Sequence, residues 1–298
     1  MSPRRHNTQL FALAGPPPER LSVAGGDYAL VRVFKHDFYA ATCLYENRDG
    51  HQFRGQALAA PATGATLVTV PIFPAKLVVK FYRDQPFWGL PMTWAGRMQR
   101  DHEKGIYRAL AGVAGVPRYV ADVGATGCAI EYVDAVGLDR LEEPPPGWFD
   151  DMRRLLLAVH ARGVAYVDAN KRSNMLVGPD GRAWLVDYQI SVRRRDDWPW
   201  PMRAIAAAWV RYMQGKDLYH LVKHKRRMAP ELLTEEEVAL SRKRSFWHEM
   251  HRMLGKPYRA ARRRFLRDQH AAGRLVSPTA KLEDQEQPEK ATWRDRQE

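Results

Sequence analysis

Cysteine is nearly absent from this chain, since Cys43 and Cys128 are the only two among 298 residues. Two cysteines cannot supply the disulfide framework of a small secreted domain, and they indicate a reducing compartment. Long apolar runs are also missing, because no stretch approaches the length of a membrane span. The short apolar run at residues 10–15 ends at three prolines and does not qualify as a signal peptide. We therefore expect a cytoplasmic protein, either soluble or peripheral on the inner face of the membrane.

Negative charge is scarce in the last third of the sequence. Residues 191–298 contain 25 Lys and Arg against 15 Asp and Glu, a net charge of +10, whereas residues 1–190 contain 22 against 19, a net charge of +3. A basic segment attached to a nearly neutral body indicates an acidic partner. Nucleic acid is not favoured, because no base-reading or stacking motif accompanies the charge.

The helix predicted after Pro257 is the most basic part of this segment. Tyr258, Ala261 and Phe265 share one face, and the other faces carry five arginines (Arg259, Arg262, Arg263, Arg264 and Arg267). A basic amphipathic helix is typical of binding to an anionic membrane surface. The alternative is a solvated helix paired with the acidic residues 235–237.

The remaining C-terminal helices are expected to contribute to the core. Pro201 opens a predicted helix that ends at Gly215, with one apolar face formed by Met202, Ile205, Trp209 and Met213. Thr234 and Glu237 have the spacing of a capping box. Trp198 and Trp200 fit either an interfacial membrane anchor or packing against the protein body.

Three polar residues stand at informative positions between residues 163 and 191. Asp168 lies in a loop after a helix, Asn174 follows six residues later, and Asp187 ends an apolar run. Residues 178–181, Gly-Pro-Asp-Gly, form a turn between two short apolar runs, which predicts a β-hairpin. The hairpin brings Asn174 and Asp187 to the same end. Their oxygens are hard ligands suited to Mg²⁺, and Asp168 could accept a proton from a hydroxyl. Two metal ligands and a base are the groups that phosphoryl transfer from ATP requires.

These residues resemble the catalytic loop and metal-binding triplet of the protein-kinase-like superfamily. Residues 166–168 resemble the start of the catalytic loop, and residues 187–189 resemble the metal-binding triplet. The resemblance implies that Lys171 steadies the transferred phosphate. The spacing from Asp168 to Asn174 is one residue longer than the family's. Either the loop bulges by one residue, or the base role is less firmly assigned than the metal role. Ala169 and Asn170 cannot act as bases.

The resemblance implies a second set of residues that orient the nucleotide. Residues 77–82 predict a strand with Lys80 in the place of the phosphate-binding lysine. Lys76 is the rival. Residues 97–110 predict a helix in which Met98, His102, Ile106 and Ala109 or Leu110 share a face, and Glu103 lies on the adjacent face. We expect an ion pair between Lys80 and Glu103. Residues 129–133 predict the strand that leads into a hinge, where backbone groups near Glu131 and Val133 would meet adenine.

A glycine-rich phosphate loop is missing. No G-x-G-x-x-G precedes Lys80, and the nearest candidate is a strand pair at residues 31–34 and 39–45, with Lys35, His36 and Asp37 in the turn. A backbone turn can still bind phosphate through its N–H groups, but this turn lacks glycines that allow close approach.

The sequence as a whole predicts an α+β protein with a two-lobed kinase-like fold. The expected segments are a flexible N-terminal part at residues 1–27, a sheet-plus-helix lobe at 28–133, a mostly helical lobe with a basic extension at 134–275, and a disordered tail at 276–298. The short second lobe resembles RIO-type kinases and, more closely, bacterial kinases that phosphorylate lipopolysaccharide sugars. The expected activity is ATP- and Mg²⁺-dependent phosphorylation of such a sugar. The alternatives are a serine/threonine protein kinase and a catalytically inactive kinase-like adaptor.

Overall fold

The structure, a computed structural model, describes residues 8–48, 74–242, 264, 265, 268, 269, 271, 272, 275 and 277–283. The chain divides into two compact units. Unit 1 consists of residues 1–8, 98–119 and 133–276, and unit 2 consists of residues 9–97, 120–132 and 277–298.

Unit 2 is built on a six-stranded antiparallel sheet. Its strands are β1 (Arg20–Val23), β2 (Gly26–His36), β3 (Ala40–Asn47), β4 (Lys76–Tyr82), β5 (Tyr119–Val123) and β6 (Gly127–Glu131). Their spatial order is β1-β2-β3-β4-β6-β5, so that β4 lies in the interior of the sheet between β3 and β6. Helix α1 (Thr93–Ala109) separates β4 from β5 in sequence, and the division between the units falls within it.

One face of this sheet carries the core of unit 2. Leu77, Val79 and Phe81 of β4 pack with Cys43 and Tyr45 of β3 in a single buried cluster. Because successive side chains of a strand point to opposite faces, Lys80 lies on the other face of the sheet. Lys80 is nevertheless only 6% exposed.

The turn between β2 and β3 is held by a carboxylate and a guanidinium, and it contains no glycine. Asp37 Oδ1 accepts hydrogen bonds from the backbone N–H groups of Tyr39, at 2.9 Å, and Ala40, at 3.0 Å. Arg83 lies 4.1 Å from the centre of the Phe38 ring and donates to the Phe38 carbonyl at 3.3 Å. The strand pair predicted for residues 31–45 is confirmed, but of the predicted turn residues only Asp37 lies in the turn, because Lys35 and His36 pair with Thr42 and Ala41 within the sheet.

The prediction that residues 1–27 form a flexible segment is wrong from Gln9 onward. Strand β1 pairs with β2 in the register Arg20↔Ala29, and Phe11 and Ala12 are buried. Arg83 donates to the carbonyls of Gln9, at 2.7 Å, and Phe11, at 2.9 Å. These anchoring bonds come from Arg83, more than seventy residues away in sequence, so no local pattern predicts them.

The predicted disordered tail also begins too early, because residues 277–283 pack against β2. We call these seven residues the C-terminal strap. The Val33 N–H donates to the Leu282 carbonyl at 3.1 Å, and Val33 and Glu283 form a parallel β-bridge. The rest of the predicted tail lies outside the described residues.

A buried polar chain connects the strap to the end of β2. The Leu13 N–H donates to His36 Nε2 at 3.2 Å, and His36 Nδ1 lies 3.2 Å from Thr279 Oγ1. The Thr279 hydroxyl donates in turn to Glu283 Oε1 at 3.1 Å. This chain requires a neutral imidazole with its proton on Nδ1. Burial lowers the pKa of His36 below its ordinary value, which favours that neutral form.

Helix α1 buries a different face from the predicted one. Glu103, Ile106, Tyr107 and Leu110 are at most 2% exposed, whereas Met98 is 60% exposed and His102 is exposed. Tyr107 replaces His102 in the buried stripe because its ring packs edge to face on Tyr188 at 5.2 Å.

Unit 1 is mainly helical and contains short strand pairs. Its elements after α1 are β7 (Val136–Gly137), α2 (Trp148–Ala161), β8 (Val164–Ala165), β9 (Met175–Val177), β10 (Ala183–Leu185), β11 (Val192–Arg193), α3 (Met202–Met228) and α4 (Glu235–Arg242). Strands β9 and β10 form the predicted hairpin, with β7 on the other side of β9. Helix α2 supports this hairpin, since Asp151 Oδ2 accepts from the Ala183 N–H at 2.8 Å.

Helix α3 runs through the position where the sequence predicted an end. It spans 27 residues and includes Gly215. The buried residues are Val210, Asp217, Leu221, Val222, His224 and Lys225, mostly in its second half. The predicted core face is wrong for Met202, Ile205 and Trp209, which are 51%, 69% and 51% exposed.

The predicted capping box at the start of α4 is present. The Thr234 N–H donates to Glu237 Oε2 at 3.1 Å, and the Glu237 N–H donates to Thr234 Oγ1 at 3.3 Å. The same Glu237 oxygen pairs with Lys225 Nζ at 2.9 Å, which ties α4 to α3. Most of the basic helix predicted after Pro257 lies outside the described residues. No helix in the described part of the chain is both long and apolar enough to cross a membrane.

The strap predicts a specific loss of stability. Thr279→Val keeps the side-chain shape but removes the hydroxyl between His36 and Glu283, leaving both without that partner. We expect the free energy of unfolding to fall by about 1–3 kcal/mol, measured by denaturant titration. Lys281→Ala, an exposed change in the same strap, is the control and should shift it by less than about 0.5 kcal/mol. Equal stability of both variants would show that the strap does not hold β2.

Candidate active site

The loop between β8 and β9 brings three of the predicted residues into contact. Asn174 Nδ2 donates to Asp168 Oδ2 at 2.9 Å, and Lys171 Nζ lies 2.9 Å from the same oxygen. Asp168 and Asn174 are buried, whereas the Lys171 side chain is 50% exposed. Lys171 therefore points its amine from solvent towards the carboxylate.

The additional residue in this loop is accommodated by two tight turns. The Asp168 carbonyl accepts from the Lys171 N–H at 3.0 Å, and the Lys171 carbonyl accepts from the Asn174 N–H at 3.3 Å. The second turn is the 3₁₀ helix Arg172–Asn174. Of the two alternatives raised by the spacing, the geometry favours a bulge, because Asn174 still reaches Asp168.

The β9–β10 hairpin places Asp187 next to this loop. Met175 pairs with Leu185, and the Val186 N–H donates to the Asn174 carbonyl at 3.1 Å. The Tyr166 hydroxyl donates to the Val186 carbonyl at 2.5 Å, which joins the end of the hairpin to the start of the loop. Asp187 is half-buried and has a φ of 63°, a left-handed conformation that a non-glycine residue adopts at a cost.

Burial is the main influence on the Asp168 carboxyl. It raises the pKa of Asp168 above its ordinary value, and the nearby negative charge of Asp187 acts in the same direction. The hydrogen bond and the charge of Lys171 lower the pKa of Asp168, as does the hydrogen bond from Asn174. A carboxylate with a raised pKa is a stronger base, which suits the acceptance of a proton from a hydroxyl.

A residue that the sequence did not single out holds the loop in place. The fully buried carboxylate of Asp217 on α3 accepts from the N–H groups of Tyr166 and Val167, each at 2.8 Å. His160 Nε2 donates to the same carboxylate at 3.0 Å. Val167 has a φ of 71°, an outlier for a β-branched residue that costs about 1–3 kcal/mol. The two backbone hydrogen bonds to Asp217 offset this strain.

Three further hydrogen bonds fix the neighbouring backbone. His224 Nε2, also on α3, donates to the Ala169 carbonyl at 3.0 Å. The Ser191 hydroxyl donates to the Tyr166 carbonyl at 2.9 Å, and His102 Nε2 donates to the Ser191 carbonyl at 2.9 Å. Asp217 and His224 lie seven residues apart on one helix. A sequence signal was therefore available, namely a carboxylate and an imidazole two turns apart among apolar residues.

The two candidate phosphate-binding lysines have different environments in unit 2. Lys80 is buried in the interior strand β4, where its Cα partners are Thr42 and Cys128. Lys76, at the start of β4, is exposed and pairs with Glu46 at 3.6 Å. Lys76 is therefore explained as a surface ion pair, and Lys80 is the better candidate.

The other predicted nucleotide-binding residues are Glu103, Glu131 and Val133. Glu103 is fully buried on α1. Glu131 is the last residue of β6, and Val133 is the first residue after the division between the units. Both Glu131 and Val133 are half-buried. Their nucleotide-binding roles stay predictions.

The donor chemistry of unit 1 fits a magnesium ion that is shared with a phosphate ligand. Asn174 directs its Nδ2 group at Asp168, and its Oδ1 atom, which accepts a 3.4 Å hydrogen bond from the Ser173 hydroxyl, has a second lone pair for a metal ligand. Asp187 adds a half-buried carboxylate. Within the described ranges, no group of three or more His, Cys, Asp or Glu side chains could hold a metal alone. Mg²⁺ is often bound by one or two protein side chains, with water and substrate phosphates as its other ligands.

These features define the class of the fold. Unit 2 has an antiparallel sheet with one helix between its fourth and fifth strands in sequence, and unit 1 carries the loop and hairpin with Asp168, Asn174 and Asp187. The α+β fold class predicted from the sequence is confirmed, and the loop and hairpin residues have the order that the resemblance to the protein-kinase-like class predicted.

Solved structures of kinases have a similar fold. The chain is similar to the crystal structure of the Rio2 kinase from Chaetomium thermophilum, with 13% sequence identity and a TM-score of 0.47, covering 70% of this chain and 59% of that chain. It is also similar to the Rio2 kinase-ADP/Mg²⁺-phosphoaspartate complex from the same organism, with 13% identity and a TM-score of 0.46, covering 70% and 58%. The chain thus spans less than two thirds of these kinases.

Neither protein-family models nor curated proteins give a match to this sequence. The functional assignment therefore depends on the geometry of the site.

The role of Asp217 predicts a large effect from a small change. In Asp217→Asn, one oxygen is replaced by an NH₂ group that cannot accept, so at least one backbone N–H loses its partner. We expect a loss of roughly 2–4 kcal/mol in the free energy of unfolding, measured by denaturant titration. Asp196→Asn, at an exposed residue bonded to Arg194, is the matched control with an expected change below about 0.5 kcal/mol. Similar stability of the two variants would contradict the proposed anchoring.

Proposed function

We propose that this protein is a kinase that transfers the γ-phosphate of ATP to a hydroxyl group. The observation that carries the proposal is the contact of Asn174 Nδ2 and Lys171 Nζ with a single buried Asp168 oxygen, beside the hairpin that ends at Asp187. One base, one amide ligand, one carboxylate ligand and one cation are the parts that phosphoryl transfer requires.

Asp168 would position and deprotonate the acceptor. Its carboxylate is already oriented by Asn174 and Lys171, so little rearrangement is needed when the hydroxyl arrives. The raised pKa of Asp168 increases its ability to take the proton as the oxygen attacks phosphorus. Lys171 has a half-exposed side chain. Its ammonium group would move partly away from the Asp168 oxygen and neutralise charge on the transferred phosphoryl group.

Asn174 and Asp187 would hold Mg²⁺. When bound, Mg²⁺ neutralises the charge that develops on the phosphate oxygens. The contribution of the chain is to fix the two ligands, through the Asn174–Asp168 hydrogen bond and through the hydrogen bond of the Tyr166 hydroxyl to the Val186 carbonyl. Burial holds the pKa of Tyr166 well above its usual range, so this hydroxyl stays protonated and continues to donate.

Lys80 and Glu103 would orient the nucleotide phosphates as an ion pair. This pair is what the resemblance to kinases implies for a buried strand lysine and a buried helix glutamate. Backbone groups of Glu131 and Val133 would bind adenine. These four roles follow from the resemblance to kinases.

The acceptor that we favour is the sugar of a lipopolysaccharide-type glycolipid at a membrane surface. The support for this acceptor is the net charge of +10 in residues 191–298, which suits an anionic substrate surface. A protein serine or threonine is the second candidate, because the same residues would serve either hydroxyl. An inactive adaptor is the third, since the β2–β3 turn has no glycine and is pinned by Arg83.

Transfer of labelled phosphate tests these three proposals together. Pure protein is incubated with γ-labelled ATP, Mg²⁺ and a whole-cell extract, and the lipid and protein fractions are then separated. We expect label in the glycolipid fraction, reduced by about 10²–10⁴-fold in Asp168→Asn. Asp180→Asn, in the exposed hairpin turn, is the control and should keep full activity.

Each other outcome has a defined meaning. Label on protein bands that depends on Asp168 would make the chain a protein kinase. The absence of Asp168-dependent label in both fractions, with wild-type ATP binding intact, would reject the kinase assignment and favour the adaptor.

The pH dependence of the transfer rate should report on Asp168. The rate should fall as pH decreases through the pKa of Asp168, and this acid limb should lie above the ordinary range of an aspartate because burial raises the pKa. Lys171 lowers the pKa of Asp168, so Lys171→Met should move the acid limb to higher pH as well as reduce the rate. A shift to lower pH, or no shift, would contradict the proposed pairing.

A further inference from the structure

An exposed aromatic surface lies at the start of α3 and just before it. We call it the aromatic face, and it consists of Trp198, Trp200, Met202, Ile205, Trp209 and Tyr212. Their exposed fractions range from 38% for Trp198 and Tyr212 to 75% for Trp200. Three of the nine tryptophans of the chain thus lie within twelve residues of each other, with their rings accessible to solvent. Contiguous exposed apolar side chains of this kind mark an interaction site.

The helical members of the aromatic face form one stripe. Met202, Ile205, Trp209 and Tyr212 follow the three- and four-residue spacing of a helix surface, and the rings of Trp209 and Tyr212 stack at 5.8 Å between centroids. Val210 and Asp217, on the other side of the helix, are buried. Helix α3 therefore packs one side in unit 1 and turns an apolar stripe to solvent.

Positive charges outnumber negative ones in the segment that carries the aromatic face. Arg195, Arg203, Arg211 and Lys216 stand against Asp196 and Asp197, and no acidic residue occurs between Asp197 and Asp217. The Arg195 guanidinium lies 5.7 Å from the Trp198 ring centre, and Lys216 Nζ lies 5.3 Å from that of Tyr212. Arg195 and Lys216 thus form cation–π contacts with aromatic side chains of this face.

We propose that the aromatic face docks the protein on an anionic lipid bilayer. Tryptophan and tyrosine prefer the interface between headgroups and acyl chains, and arginine and lysine beside them attract anionic lipid headgroups. The aliphatic side chains Met202 and Ile205 within the stripe suit acyl chains and cannot stack on nucleic-acid bases. The excess of cations over anions in this segment complements an anionic surface. The proposal stands without the kinase assignment.

Vesicle sedimentation tests the proposal on the full-length protein. Sucrose-loaded vesicles of phosphatidylcholine, with or without phosphatidylglycerol, are incubated with wild type and with the triple variant Trp200→Ser, Ile205→Asn, Trp209→Ser. These side chains are 75%, 69% and 51% exposed, so the variant should fold, which a thermal unfolding curve checks. We expect binding that requires phosphatidylglycerol, weakens with salt, and falls by more than about tenfold in the variant.

The control removes a similar exposed apolar set from unit 2. Trp88→Ser, Leu90→Asn, Trp94→Ser changes side chains that are 83%, 67% and 62% exposed, and it should leave vesicle binding unchanged. Equal loss in both triple variants, or no loss in the aromatic-face variant, would overturn the proposal. Loss only on deletion of residues 257–298 would assign the membrane contact to the predicted basic helix instead.

Two further results would also reject the aromatic face as a lipid-docking site. One is failure of the wild type to bind anionic vesicles. The other is binding of the wild type to single-stranded nucleic acid or to a protein partner, lost in the triple variant while vesicle binding persists. Since no arm of the experiment uses ATP, its outcome is separate from that of the phosphate-transfer assay.

Discussion

The carboxylate of Asp217 is the constraint on which the candidate active site depends. It is fully buried and accepts hydrogen bonds from two successive backbone N–H groups just ahead of Asp168, as well as from His160. These bonds hold Val167 in a left-handed conformation that valine would otherwise avoid. The chain then turns so that Asp168 meets Asn174 and Lys171. A carboxylate on α3, about fifty residues further along the chain, therefore sets the position of the proposed base.

Side-chain hydrogen bonds fix the β2–β3 turn and the end of β2 in unit 2. The β2–β3 turn is closed by Asp37 and covered by Arg83, whereas a glycine-rich loop would rely on backbone freedom. The end of β2 is fixed by the polar chain through His36, Thr279 and Glu283. The β2–β3 turn is therefore a preformed element, and the strap contributes to its rigidity through His36 at the end of β2.

Local patterns predicted the parts of the fold that local interactions determine. The hairpin with its Gly-Pro-Asp-Gly turn, the strand around Lys80, and the capping box of Thr234 and Glu237 were all predictable, because a turn type, a strand-forming composition or a cap lies within a few residues. The bulge in the catalytic loop was one of two alternatives at the level of sequence. The structure favours it because the Asn174–Asp168 hydrogen bond closes the loop. The roles of the site residues are still predictions.

Features that depend on distant partners were not predictable in this way. The role of Asp217 requires knowledge that α3 packs against the loop, and the strap requires knowledge that residues 277–283 return to β2. The apolar stripe of Met202, Ile205 and Trp209 has the periodicity of a core face, yet it is exposed. Periodicity reports that a helix has an apolar side, but it does not report whether protein or another phase covers that side.

The central claim is that Asn174 and Asp187 together hold a divalent metal that is shared with ATP. Titration of Mn²⁺ followed by electron paramagnetic resonance, with and without ATP, measures this directly. The account predicts that ATP increases the affinity of the wild type for Mn²⁺, and that Asn174→Ala and Asp187→Asn each abolish the increase while Asp180→Asn preserves it. The same ATP-dependent increase in all four proteins would contradict the assignment of the metal to these two residues.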